Sequence, residues 1–211
     1  MIRASLPDFL NTGCLGPVRP GATMEEIVAL LGEPIKAIGE RPPHATQQPY
    51  WIYGNLEINF AQPEDAAPYV EYLVINNPRR LRKKTRRVAP NLMLELHGLN
   101  ACSRPSQFIR AIDDIDRIEV RLVNLILYPY VSITVDEFFE INFDHWAMDR
   151  VETPPPLRGY IRKLEIEARL ADIFSLDRRR MSSKQVSEHM YPGRDAPFTV
   201  TGRDYLKALE R

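Results

Sequence analysis

The chain has 211 residues, 44% of them hydrophobic, which is enough to bury a core and excludes disorder as its main state. Its 28 basic and 28 acidic side chains cancel, so no global field draws it to nucleic acid or an anionic membrane, and any such binding must be local. Two cysteines, Cys14 and Cys102, fit neither a disulfide framework nor a zinc spacing, the start lacks a secretory signal's apolar stretch, and no run reaches spanning length; the expectation is a cytoplasmic protein without membrane contact.

In chain order, the first predicted element is a helix within 16–34. Thr23 is its expected N-cap, Glu26 the capping-box partner three residues on, and Gly32 with Pro34 the stop. Met24, Ile27, Val28, Leu30 and Leu31 supply its buried side. The stretches 50–53 and 56–60 about Gly54-Asn55 predict a hairpin, and 70–75 a third strand. Prolines bracket the next segment, which carries seven bases: Arg79, Arg80, Arg82, Lys83, Lys84, Arg86 and Arg87. It reads as a basic linker over 78–90.

A short helix is expected over 105–112 and strands within 118–143. The run Phe139-Glu140-Ile141-Asn142-Phe143 echoes Leu56-Glu57-Ile58-Asn59-Phe60 at an offset of 83 residues, which suggests duplication of a helix-plus-sheet unit. After Pro154-Pro155-Pro156, the steps of four and three between Leu157, Ile161, Leu164, Ala168 and Ala171 predict a helix over 157–174. A last helix is expected over 202–209. The whole reads as α+β: a unit at 1–77, the linker, a second helix-and-sheet unit at 91–153, and a helical C-terminal region at 154–211.

The run Gly21-Ala22-Thr23-Met24-Glu25-Glu26-Ile27-Val28-Ala29-Leu30-Leu31-Gly32-Glu33-Pro34, followed by Trp51-Ile52-Tyr53-Gly54, resembles the signature of BamE/SmpA-OmlA-like domains. Those are small helix-then-sheet modules that bind other proteins, so the resemblance implies a non-enzymatic interaction module over the first third of the chain. The approach Gly16-Pro17-Val18-Arg19-Pro20-Gly21 also resembles cytoplasmic proteins of bacterial toxin and immunity loci. That second resemblance implies an inhibitor.

No catalytic constellation stands out. His44, His97, His145 and His189 lack metal-ligand spacing, no nucleophile elbow or phosphate loop is present, and the Asp113, Asp114, Asp116 cluster lacks the glycine and distal glutamate of a calcium loop. No cofactor, metal or enzymatic activity is therefore expected. Charge is segregated instead: between Asp113 and Glu152 ten acids face three bases, a net −7, against +7 over 79–87. The plainer reading is that these segments pair with each other or are solvated faces. The functional reading is a partner-binding face made by Asp113, Asp114, Asp116, Asp136, Glu137 and Glu140, with Phe139 or Trp146 as anchor, for a basic partner such as a toxin domain. The alternative is nucleic-acid binding through the seven bases of the linker.

Overall fold

The computed structural model describes residues 1–38, 49–63, 65–76, 81, 85–123, 130–136, 138–144, 157–177 and 198–210. The elements are β1 (Ile2–Ser5), α1 (Leu6–Thr12), α2 (Met24–Leu31), β2 (Lys36–Ile38), β3 (Tyr50–Tyr53), β4 (Leu56–Ala61), β5 (Tyr69–Ile75), β6 (Thr85–Ala89), β7 (Leu92–Glu95), α3 (Pro105–Ile109), β8 (Ile118–Val123), β9 (Tyr130–Val135), β10 (Phe139–Asp144), α4 (Leu157–Glu167), β11 (Arg169–Leu176), β12 (Phe198–Thr201) and α5 (Gly202–Leu209). The fold is α+β, as the sequence implies. Nine strands form one antiparallel sheet in the order β12-β8-β9-β10-β11-β5-β4-β3-β2, and β1-β7-β6 form a small separate sheet.

Local chemistry explains the elements that sequence placed well. In α2 the Thr23 hydroxyl accepts from the Glu26 N–H at 3.2 Å while the Glu26 carboxylate accepts from the Thr23 N–H at 2.7 Å, which satisfies two donors that a helix start leaves unpaired. Helix α3 repeats half of this, with Gln107 accepting from the Arg104 N–H at 2.8 Å. Gly54 sits at φ 80° and closes the β3–β4 hairpin, a conformation glycine adopts without penalty.

Two expectations fail. The helix predicted over 157–174 stops at Glu167, and Arg169–Leu176 is a strand in the middle of the large sheet, paired with β10 on one side and β5 on the other. The C-terminal region is therefore not simply helical. The basic linker is also partly structured: Thr85–Ala89 is a strand whose Val88 and Ala89 are buried. Arg79, Arg80, Arg82, Lys83 and Lys84 lie outside the described residues.

The large sheet consists of two meanders, β2 to β5 and β8 to β11, that meet at their last strands, with β12 added outside β8. At this seam Val74 lies opposite Phe174, Leu73 opposite Ser175 and Ile75 opposite Ile173. The two echoing pentapeptides form β4 and β10, each one strand from the seam. Both ladders shift register after the asparagine, between Asn59 and Phe60 and between Asn142 and Phe143, where β5 and β11 accommodate one extra residue, Glu71 and Ala171.

All the helices with known sheet contacts use one side of it. Phe9 of α1 meets Phe139 edge-on at 5.0 Å, Phe108 of α3 meets Phe143 at 5.5 Å, the Tyr53 hydroxyl donates to Gly32 O at the end of α2, and Gly202 of α5 abuts Ile118. Within the helical layer Glu165 is buried and accepts from the Ser106 N–H at 3.1 Å, the Ser106 hydroxyl at 2.5 Å and the Tyr205 hydroxyl at 3.1 Å, tying α3, α4 and α5 together. That carboxylate, in a buried setting, also pushes the Tyr205 hydroxyl well above the usual phenol range, with burial itself the larger cause.

Candidate binding face

Because strand side chains alternate, the second face of the sheet carries the residues between the core positions. One line of side chains runs straight across it from β8 to β2, one per strand: Glu119, Thr134, Glu140, Phe174, Val74, Glu57, Ile52 and Lys36. The central pair is Phe174 and Val74, and a glutamate flanks it on each side. From β10 to β4 is three strand spacings, so the two glutamates stand on the order of 14 Å apart at their backbones.

Each glutamate has the same kind of neighbour. The Tyr50 hydroxyl on β3 donates to Glu57, and the Ser132 hydroxyl on β9, at the corresponding ladder position, donates to Glu140. Asn76 also donates to Glu57, at 2.8 Å. The asparagines correspond too: Asn59 lies opposite Tyr72 and hydrogen-bonds to it, while Asn142 lies opposite Asp172 and donates to it at 2.9 Å. Tyr72 and Phe174 pack with ring centroids 6.2 Å apart.

This face is electrostatically crowded. Asp172 is pushed up to about 7, mainly by burial and then by the negative charges of Glu140, Asp144 and Glu57, against the opposing hydrogen bond from Asn142. Glu140 is likewise raised, by burial above all, with Ser132 and Arg121 pulling the other way. Arg121 is buried on the same face, its nearest carboxylate contact being Glu119 at 3.8 Å. Among the described residues, the buried atoms Asn59 Oδ1, Thr134 Oγ1, Asn142 Oδ1 and Arg121 Nη2 have no hydrogen-bond partner, an arrangement that ordinarily costs stability.

The acidic residues named from sequence do not all converge here. Glu140 is on the polar face. Asp113, Asp114 and Asp136 gather around the Arg117 guanidinium at the β8 end, where Asp136 accepts from Arg117 Nε at 2.9 Å and adopts a left-handed turn conformation, φ 50°. Asp114 caps the turn before β8, and the exposed Asp116 pairs with Arg203 at 2.8 Å. These carboxylates have intramolecular partners. Phe139 is buried against Phe9 and cannot anchor a partner, because its strand parity points it to the core. Glu137 and Trp146 lie outside the described residues, and of the bases only Arg86, half-buried, and Arg87, exposed, are described, both on β6. Sequence reasoning missed Glu57, Tyr72, Asp172 and Phe174; the repeated Glu-x-Asn within the two pentapeptides was the available signal.

A cleft of about 230 Å³ lies elsewhere, between the end of α1, the β9–β10 turn and the end of β11. Its polar groups already hold one another: Ser175 donates to Gly13 O at 2.7 Å, Arg117 is paired with Asp136, and among the described residues no histidine lines it beside Cys14. Among the described residues no three metal-ligating side chains come together, and no helix is long and apolar enough to cross a membrane. Comparison with protein families, with characterised proteins and with solved structures finds no match to this chain.

Proposed function

We propose that the protein is a non-catalytic binding protein that engages a basic protein partner across the polar face of its large sheet. The observation that carries this reading is the line Glu140, Phe174, Val74, Glu57: the half-buried ring of Phe174, beside the buried Val74 and flanked by carboxylates, on the side away from the helices. Aromatic side chains supply contact area at low entropic cost, and acidic ones speed encounter with a cationic surface. In its most concrete form the partner is a toxin whose cationic active-site surface is occluded, which makes the protein an immunity factor.

The architecture is read in the same sense. The two meanders descend from one duplicated BamE-like unit, a proposal supported by the shared register shift, the matching hydroxyl–glutamate pairs and the similarly built starts of α2 and α3.

The test is affinity capture from the native lysate at low and high salt, with bound material split between proteomics and nucleic-acid staining. One stoichiometric, salt-sensitive protein, lost with Glu57→Gln and Glu140→Gln together, is expected. Nuclease-sensitive nucleic acid without such a protein would instead support binding through the basic segment and end this reading.

A further inference from the structure

We propose that the seam of the polar face is a receptor for an arginine side chain of the bound protein, with Phe174 as its floor and Glu140 and Asp172 as its walls. This rests on the protein-binding reading above and names the chemistry that reading leaves open. Glu140 lies directly opposite Phe174 on β10, and Asp172 precedes Phe174 by two residues on β11, so all three share one face. Ser132 occupies only Oε1 of Glu140, and Asn142 only Oδ1 of Asp172. Among the described residues, each carboxylate leaves its second oxygen without a hydrogen bond.

Two further groups point to a ligand. Thr134 is 1% exposed and sits opposite Glu140, yet its hydroxyl has no partner, and Asn142 Oδ1 beside Asp172 is an unused buried acceptor. A site built this way offers four acceptors on one side of an aromatic ring, reaching from β11 across β10 to β9. A guanidinium matches it best, being planar, rich in donors set in a fixed fork, and weakly enough hydrated to stack on a ring. An ammonium would supply charge but neither the plane nor the fork. A phosphate would meet repulsion from the carboxylates of Glu57 and Glu140.

The resident Arg121 does not fill the site. It stands on β8, two strands from β10, with Glu119 at 3.8 Å, and acts on Glu140 through charge without a hydrogen bond to it.

The test is an NMR titration of the full chain with N-acetyl-arginine amide, and separately with its uncharged isostere N-acetyl-citrulline amide. Saturable shifts at the amides of Thr134, Glu140 and Phe174 are expected with the arginine probe alone. The double variant Glu140→Gln, Asp172→Asn should weaken binding by roughly tenfold or more, from the loss of two charge-assisted contacts. Phe174→Leu should weaken it as well, with the dispersion of the spectrum showing that each variant is folded. Equal shifts with citrulline, or no saturable shift, would overturn the receptor. A captured protein partner retained equally by the double variant would also overturn it while leaving the protein-binding role intact. Probe binding in a protein that captures no protein partner would uphold the receptor and remove the role.

Discussion

Asp172 carries a titration that should be measurable in the stability of the fold. Its folded pKa, about 7, lies above that of an unfolded aspartate, so folding favours its protonated form. The sign follows: the favourable contribution of the neutral acid is fully present below about pH 4 and is lost as pH rises through about 7. Asn142, Glu140 and Asp144 on the neighbouring β10 and Glu57 on β4 are the polar and charged groups that, with burial, set this value. Asp172→Asn, which cannot ionise, should match the parent below pH 4 and exceed it above pH 8. The difference between about 7 and an ordinary aspartate corresponds to about 4 kcal/mol at most, and partial solvent contact reduces the expected gain to ~1–2 kcal/mol. Denaturant titrations at pH 4 and pH 8 read it directly; equal stabilities at pH 8 would contradict the assignment. Glu165 predicts the opposite behaviour. Its three accepted hydrogen bonds are buried, so Glu165→Ala strands their donors and should cost about 2–4 kcal/mol, read as a lower denaturation midpoint.

Between elements, the closest fit is where α5 leaves β12. A Cβ on Gly202 would stand 2.9 Å from Ile118 Cβ and 3.2 Å from Ile115 Cγ1. Gly202→Ala should therefore cost about 1–3 kcal/mol by overpacking, and Ile115→Ala in the same chain should recover part of it, as measured by a double-mutant cycle. What was legible in the sequence follows from the same distinction between local and distant causes. The starts of α2 and α5 are visible because the cap and its donors lie within three residues, as at Thr23 with Glu26 and Thr201 with Asp204. Strand β11 was not visible. Ala168 just before it and Ala171 within it continue the spacing of α4, and only pairing with β10, about 30 residues earlier, and with β5, nearly 100 residues earlier, makes 169–176 extended. The extra residue at Ala171 also breaks the alternation that would have marked a strand. The site was half legible for the same reason: Glu140 lies in the acidic stretch, but Asp172 joins it only through the pairing of β10 with β11, and Glu57 only through the seam.

At the scale of the molecule, the seam sits in the middle of a nine-stranded sheet and the three residues of β2 at its edge are all exposed. Amide hydrogen exchange should be slowest at Leu73, Val74, Ile173 and Phe174 and fastest in Lys36–Ile38, because opening the centre requires global unfolding while the edge can fray alone. Comparable protection in β5 and β2 would mean that the meanders separate as independent units.

The seam also sets an order of events during synthesis. Each meander is a chain of short-range pairings, whereas β5 must wait for β11, which the ribosome makes nearly 100 residues later. Until then the nascent chain displays an unpaired strand edge over Tyr72–Ile75, bearing Leu73 and Ile75, the kind of template that recruits other chains. A protein assembled this way depends on whatever shields that edge between the emergence of its two halves.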